Sequence, residues 1–362
     1  MMIAKKPFIT VLFLILATIV QAQDENHFQE RLIKLDTALC QRIRESDAGA
    51  SIIITHKAQI IFEKYLGYAN FEKEEKLNSD HVLGIASMSK QFLGMATLIL
   101  ANEGKIDLDR EIKDYLPDLP LDNRHIKIKQ LLSHTSGLPE LTQSDEFMSK
   151  ISEKHTVNEI INIGLKGKYR SEPGEKYMYC NTGYTIMTAL IEQQSGMNFS
   201  DFLNEKIFVP LAMNHTYSCD YNHDATNAVQ RYSLDSTGYH HANIMHFSNL
   251  IGGGGMVSNV RDMAQWNMAL VSGRSLPPNY TDIWKPVLLN SGESTGYGLG
   301  MGVSSYKGRT FYYHPGMGDG MNAINLIFPS EEITITVIRN VFPPRVSSNE
   351  IALLAADFLF ED

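Results

Sequence analysis

Residues 87–90 of this chain combine a hydroxyl and an amine at a spacing that suits nucleophilic catalysis, because they read Ser-Met-Ser-Lys. The next segment, residues 91–103, contains no proline and is followed by Gly104, which predicts a helix that begins close to Ser87. Residues three apart on a helix share one face, so the Lys90 amine can reach the Ser87 hydroxyl. The positive end of the helix also favours an incipient alkoxide. The spacing predicts a serine nucleophile, although Ser-x-x-Lys alone occurs by chance in many chains.

A second segment supplies two more groups that an acylating hydrolase needs, a proton relay and a ligand for the substrate. Within residues 177–187, the phenol of Tyr179 can relay a proton if a nearby cation keeps it acidic, and Lys90 is the obvious cation. Asn181 offers both a donor and an acceptor to a substrate amide. Tyr179 and Asn181 are therefore predicted to join Ser87 and Lys90 in one site.

The third segment is His-Pro-Gly at the end of a predicted strand, with His314 as its first residue. Gly316 has no side chain, which lets this strand approach a substrate closely. The backbone N–H of Met317 could join that of Ser87 in an oxyanion hole. We therefore predict that three segments, far apart in the chain, meet in one cleft.

The elements that must position these segments form an α+β pattern. Strand-like runs at both chain ends predict one antiparallel sheet, flanked by a first helix over residues 28–46 and a last helix over 348–359. The mainly helical middle, about residues 87–291, is predicted to be a large inserted lobe, with the sheet lobe formed by about residues 23–86 and 292–362. A site between two such lobes is expected. The predicted strands cover residues 50–55, 59–66, 298–305, 310–314, 322–328 and 333–338.

Taken together, these segments resemble one known group of proteins in content and order. The chain resembles the superfamily of class C β-lactamases and serine D-alanyl-D-alanine carboxypeptidases, the penicillin-binding-protein-like enzymes, which also includes esterases and D-aminopeptidases. The resemblance covers essentially the whole chain after its first residues. It rests on IASMSKQF (85–92), LLSHTSGLPE (131–140), YMYCNTGY (177–184), GGGGMVSNVRDMAQW (252–266), YGLGM (297–301) and HPG (314–316).

The resemblance implies a role for each candidate residue. Ser87 is implied to be the acylated nucleophile, with Lys90 as its partner and Tyr179 as the general acid and base. Asn181 is implied to bind a substrate amide, and His314 stands where the β-lactamases usually carry a lysine. The implied reaction is hydrolysis of an amide or ester bond through an acyl-enzyme, without a metal or another cofactor.

Two departures from the β-lactamase pattern bear on the substrate. A lysine stays cationic at pH 7, whereas the ordinary pKa of the histidine at position 314 is about 6.5. Pro315 has neither a hydroxyl nor a backbone N–H for a substrate carboxylate. These departures favour a D-peptidase, carboxypeptidase or esterase type of serine hydrolase, acting on a small peptide or ester. The alternatives are a β-lactamase that hydrolyses β-lactam antibiotics and a non-catalytic penicillin-binding-like sensor of peptidoglycan peptides.

Several other motifs are predicted to be structural. Residues 134–137 form a polar turn, residues 252–255 a tight turn at the edge of the crevice, and Cys180 a small buried side chain. Residues 292–296 match Gly-x-Ser-x-Gly, but a strand pattern follows, and no Asp or Glu lies between Ser294 and the last histidine, His314, so an α/β-hydrolase elbow is excluded by chain order. The histidines of residues 240–246 lack metal-ligand spacing, and no metal site is predicted.

The N-terminal residues predict export. Two lysines, a largely apolar stretch over residues 8–20 and a small-residue site ending at Ala22 make residues 1–22 a predicted signal peptide. The stretch is shorter than the roughly 20 residues that span a bilayer, so no stable membrane insertion is expected after cleavage. The predicted location is periplasmic or secreted. A net charge of −9 without a basic cluster disfavours nucleic acid as a partner, and a monomer is expected.

Overall fold

The structure is a computed structural model that describes residues 28–122, 124–218, 227–243 and 245–361. The predicted signal peptide, residues 1–22, lies outside the described residues. The strands among the described residues are β1 (Ala50–His56), β2 (Gln59–Leu66), β3 (Tyr68–Asn70), β4 (Glu75–Lys76), β5 (Leu83–Gly84), β6 (Tyr217–Ser218), β7 (Tyr232–Asp235), β8 (Gly238–His241), β9 (Met256–Ser258), β10 (Gly302–Tyr306), β11 (Arg309–Gly318), β12 (Met321–Phe328) and β13 (Ile333–Arg339).

The first helix within the described part of the chain, α1, covers residues 28–42. Leu32, Leu35 and Leu39 recur along it at helical spacing and are all buried, which explains why this segment folds as an amphipathic helix. The helices that follow it are α2 (Lys90–Asn102), α3 (Ile128–Leu132), α4 (Asp145–Ser149), α5 (Val157–Leu165), α6 (Asn181–Ser195), α7 (Phe199–Leu203), α8 (Val260–Ser272) and α9 (Ser348–Leu359).

Both chain ends contribute to a six-stranded antiparallel sheet with the order β10-β11-β12-β13-β1-β2. The central strands β12 and β13 are buried along their whole length, because helices cover both faces. Side chains of β1 alternate between the faces: Ile52 and Ile54 pack with α1 and α9, whereas Ile53 packs into the core of the helical region. The predicted antiparallel sheet with a mainly helical insertion is confirmed. The exact lobe boundaries stay a prediction.

The helical region encloses α2, which is buried along nearly its whole length. Phe92 of α2 packs against Trp266 of α8 with ring centroids 4.5 Å apart, and the Trp266 indole N–H donates to Gln91 Oε1 at 2.6 Å. α6 also contacts α2. Asn325 of β12 also donates to Gln91 Oε1 at 3.2 Å, so the N-terminus of α2 is held by the sheet and by the insertion. Among the described residues, no helix is both long and apolar enough to cross a membrane.

Two strand boundaries differ from the sequence prediction by more than one residue. The predicted strand over residues 298–305 is wrong in its first half, since β10 begins at Gly302. The preceding residues form a loop pressed against α2, where a Cβ on Gly94 would lie 1.8 Å from the Leu299 carbonyl oxygen. β11 continues to Gly318, four residues beyond the predicted end at His314. The extension carries Pro315, Met317 and Gly318 along the edge of the cleft.

Candidate active site

Ser87 lies in a 3-10 turn, Ala86–Ser89, that connects β5 to α2. Ala86 adopts a left-handed φ of 46°, a conformation that is costly for a residue with a Cβ. The Ser89 hydroxyl donates to the Ala86 carbonyl at 2.6 Å and stabilises this turn. Ser87 was expected at the start of the α-helix, whereas the α-helix begins three residues later, at Lys90. The turn nevertheless keeps the two side chains adjacent.

Lys90 is completely buried and its amine makes three polar contacts. Nζ lies 3.2 Å from Ser87 Oγ and 2.8 Å from Asn181 Oδ1, and it also donates to the Gly253 carbonyl. Burial lowers the pKa of Lys90 to about 7, against the opposing effect of the Glu140 carboxylate. A neutral amine keeps two N–H groups for Asn181 and Gly253, which leaves its lone pair for the Ser87 proton. The geometry therefore suits Lys90 as a base.

Tyr179 lies between Lys90 and the cleft. Lys90 Nζ is 4.9 Å from the centroid of its ring, and both Tyr179 and Ser87 line the cleft. Burial is the largest effect on Tyr179, and it raises the pKa of the phenol well above its ordinary value; the neighbouring Ser87 side chain acts in the opposite direction. The hypothesis that Lys90 keeps this phenol acidic is therefore wrong. At neutral pH the phenol holds its proton and can donate it.

Asn181 begins α6 and orients the lysine. Its Oδ1 accepts from Lys90, and its Nδ2 donates to Glu140 Oε1 at 2.8 Å. Glu140 Oε2 also accepts the backbone N–H of Asn181 at 2.6 Å, so a carboxylate caps the positive end of α6. Asn181 lines the cleft as expected, yet its oxygen is already occupied. A substrate amide is left with the remaining hydrogen of Nδ2.

His314 is buried on β11 and both of its ring nitrogens have partners. Nδ1 donates to the Pro315 carbonyl at 2.6 Å, which leaves Nε2 to accept from the Tyr297 hydroxyl at 2.8 Å. Burial, followed by the charge of Lys90, lowers the pKa of His314 to about 3. The ring is therefore neutral at pH 7. It cannot supply the positive charge that a lysine would bring to this position.

The rest of β11 approaches the Ser87 turn closely. A Cβ on Gly316 would lie 2.1 Å from the Ile85 carbonyl oxygen, so only glycine fits there. Pro315 lies opposite Ile324 of β12, but it has no backbone N–H to donate and its carbonyl accepts from His314. Backbone N–H groups two residues apart on a strand point to the same side, so the N–H of Met317 lies on the same side of β11 as position 315. Met317 and Pro315 both line the cleft, and the Met317 side chain is 59% exposed.

Three residues around the site were missed by sequence reasoning. His134, assigned only to a turn, lies with its ring 4.1 Å from that of Tyr179. Arg170 lines the cleft, and its guanidinium donates to the Tyr179 carbonyl at 2.9 Å. Gly253, assigned to a tight turn, provides the carbonyl that binds Lys90. The segments of His134 and Gly253 carry recognisable motifs, which could have marked both; no local pattern marks Arg170.

The described residues enclose one cleft of about 840 Å³ beside Ser87. Its charged lining residues are Glu140, Arg170 and Asp319, and much of the remaining surface is apolar. The guanidinium of Arg170 is committed to backbone carbonyls, at 2.8 Å in the case of Leu138. The apolar lining consists of Ala86, Tyr177, Met178, Tyr179, Met245, Leu250, Gly254, Tyr297, Tyr313, Pro315, Met317, Gly318 and Met321. All of the predicted site residues from the three segments except the buried Lys90 and Gly316 therefore line this one cleft.

Comparison with known families gives the same assignment. The family model described as Beta-lactamase matches residues 37–359, which is nearly the whole chain. The chain belongs to the beta-lactamase family of serine hydrolases. A penicillin-binding protein of Bacillus subtilis is 27% identical over 316 residues, covering 81% of this beta-lactamase-family chain and 68% of that protein. Protein flp of Staphylococcus aureus is 25% identical, and the match covers 81% of this chain but only 59% of that protein.

Solved structures agree with this fold. A penicillin-binding protein homologue from Pyrococcus abyssi, described as octameric, has a TM-score of 0.79 and 24% identity, over 90% of this chain and 76% of that chain. D-amino acid amidase from Ochrobactrum anthropi SV3 has a TM-score of 0.70 and 26% identity, and the match covers 86% of this chain and 92% of that chain. The family thus includes proteins named for penicillin binding and for amidase activity.

Proposed function

We propose that this beta-lactamase-family protein hydrolyses an amide or ester bond through an acyl-enzyme formed on Ser87. The observation that carries the proposal is the fully buried Lys90 amine, 3.2 Å from the Ser87 hydroxyl and held by Asn181 and Gly253. An amine buried in this way is costly, and its lowered pKa is matched to proton transfer near neutral pH. A merely solvated lysine would need none of these contacts.

The residues divide the proton transfers between them. In acylation, Lys90 takes the proton of Ser87 while Oγ forms a bond to the substrate carbonyl carbon. The oxyanion accepts hydrogen bonds from the backbone N–H groups of Ser87 and Met317. The leaving group departs with the phenol proton of Tyr179, and the proton held by Lys90 restores the phenol. Water then cleaves the acyl-Ser87 bond by the same transfers in reverse order.

The charges of the cleft favour an esterase or D-peptidase type of activity over a β-lactamase or a carboxypeptidase. His314 is neutral, Pro315 brings no donor, and the Arg170 guanidinium is bound to carbonyl oxygens. No other lysine or arginine lines the cleft among the described residues. A substrate carboxylate would therefore meet one cation, the Arg170 guanidinium, three of whose N–H groups are already bound to carbonyls, which disfavours β-lactams and D-alanyl-D-alanine peptides. Uncharged esters and amides with apolar groups fit the lining better.

Substitution of Ser87 by alanine tests this proposal directly. The substrates are a nitrophenyl ester, a D-amino acid amide, a D-alanyl-D-alanine peptide and a chromogenic β-lactam, with a fluorophosphonate as the covalent label. Ser294→Ala is the matched control, because Ser294 lies in the Gly-x-Ser-x-Gly segment that we exclude as a nucleophile elbow. We expect Ser87→Ala to lose labelling and turnover and Ser294→Ala to keep both. Labelling that persists in Ser87→Ala would contradict the proposal.

Burst kinetics separates this enzyme from the non-catalytic alternative, a sensor of peptidoglycan peptides. A hydrolase releases one equivalent of nitrophenol and then continues at a steady rate, whereas a sensor stops after the burst.

We also propose, on the sequence pattern, that the protein is exported and cleaved after Ala22, and that it is monomeric. The intact mass of the exported protein and its mass in solution test these two points.

A further inference from the structure

We propose that His134 is a positioning residue that orients the Tyr179 phenol toward Ser87. This inference deepens the function proposed above and rests on it. His134 follows α3 in a turn, where Ser133 Oγ lies 3.0 Å from Thr135 Oγ1. The histidine itself, however, turns inward and is completely buried.

His134 holds the segment around Tyr179 at three points. The backbone N–H of Met178 donates to the His134 carbonyl at 2.7 Å, and that of Cys180 donates to Nδ1 at 3.0 Å. Between these two bonds, the His134 ring lies over the Tyr179 ring, with centroids 4.1 Å apart and planes inclined by 31°. The neighbours of Tyr179 on both sides are thus bound to the same residue that packs on its ring.

Arg170 completes the restraint from the other side of the segment. Its NH2 group donates to the carbonyl of Met178 at 3.2 Å and to that of Tyr179 at 2.9 Å. The backbone around Tyr179 is therefore bound through its N–H groups by His134 and through its carbonyls by Arg170. With the backbone held, Tyr179 can still rotate about its side-chain bonds, and the His134 ring restricts this rotation.

A plain packing residue would avoid two features that His134 has. Its backbone is left-handed, with φ 60°, which is costly for a residue with a side chain. Because Nδ1 accepts a hydrogen bond, the neutral ring carries its proton on Nε2, which has no partner among the described residues. A buried N–H without a partner destabilises the fold. The site thus keeps an imidazole where an apolar ring of similar shape would satisfy packing alone.

His134 is not an acid or base in this scheme. Burial, followed by the positive charge of protonated Lys90, keeps its pKa well below the ordinary value, so the ring stays neutral over the working pH range. A second positive charge beside Lys90 would also be repelled. Its effect on the reaction therefore passes through Tyr179.

Two substitutions separate the acceptor of His134 from its ring. His134→Asn keeps a side-chain oxygen for the Cys180 N–H and tolerates positive φ, but it has no ring. His134→Phe keeps a ring without an acceptor. Each is combined with Tyr179→Phe, and single-turnover acylation by a nitrophenyl ester is measured with KM and the melting temperature. Ser133→Ala, a buried neighbour that bonds to Thr135, is the control for local disruption.

We expect His134→Asn to lower the acylation rate at least tenfold with KM changed less than threefold. In the Tyr179→Phe background the same substitution should cost less than threefold, because the phenol is already absent. The loss with Ser133→Ala should be the same in both backgrounds. Equal losses with and without the Tyr179 hydroxyl, for either His134 variant, would overturn the inference. Fluorophosphonate labelling of wild-type Ser87 is measured first, so that failure of the proposed function is recognised separately.

Discussion

The buried amine of Lys90 makes a quantitative prediction about pH. If neutral Lys90 accepts the Ser87 proton, the acylation rate follows the neutral fraction of a group whose pKa is about 7. About a tenth of the amine is neutral one pH unit below that value and about nine tenths one unit above it. The rate constant for acylation should therefore rise about tenfold between pH 6 and pH 8 and then level off. An ordinary lysine would give a rise centred above pH 10.

Substitution of Glu140 tests the direction in which the pKa of Lys90 shifts. Its carboxylate stabilises the protonated form of Lys90, so its negative charge raises the pKa that burial lowers. Glu140→Gln removes this charge, and the rise in acylation rate should move to lower pH. The variant also disturbs the two bonds that Glu140 accepts from Asn181, at 2.6 and 2.8 Å, which is expected to lower the plateau. The midpoint and the plateau are thus separate readouts.

Stopped-flow measurement of nitrophenol release between pH 5 and pH 9 provides both readouts. In Lys90→Arg the acylation rate should not rise near pH 7, since a guanidinium stays protonated over this range. Three results would refute the reasoning: a rate independent of pH from 6 to 8, a rate that falls as pH rises through 7, or a midpoint that moves upward in Glu140→Gln. A midpoint near 7 that moves downward supports Lys90 as the base.

The same contacts support three further predictions. Lys90→Met should abolish turnover, because it removes the base that accepts the Ser87 proton. Since the pKa of Lys90 is lowered in the folded state, wild-type stability should rise relative to Lys90→Met from pH 7 to pH 10, as denaturant titrations would show. Gly316→Ala should lower acylation at least tenfold, because its Cβ would meet the Ile85 carbonyl at 2.1 Å; unchanged kinetics would contradict this close approach. Pro315→Thr restores a hydroxyl and an N–H, so the ratio of kcat/KM for a carboxylate-bearing ester to that for its methyl ester should rise severalfold.

Local signals explain why much of the fold can be predicted from the sequence. The apolar run of β1 and the helical spacing of Leu32, Leu35 and Leu39 are properties of short segments, and the structure has a strand and a helix at these places. The prediction of a strand over residues 298–305 is wrong in its first half, because a contact with a distant segment determines the conformation there. The backbone of Leu299 packs against Gly94 of α2, and no pattern within residues 298–301 predicts that contact.

The pKa values of the site residues also depend on distant parts of the chain and could not be predicted from local sequence. From the sequence, a lysine beside a tyrosine predicts an acidic phenol, since opposite charges attract. Burial disfavours the charged form of either group, so it lowers the pKa of Lys90 and raises that of Tyr179. The pair is therefore poised as a neutral amine and a neutral phenol, a base and an acid, on either side of Ser87. That division of roles follows from burial by residues such as His134 and Gly253, which lie far away in the chain.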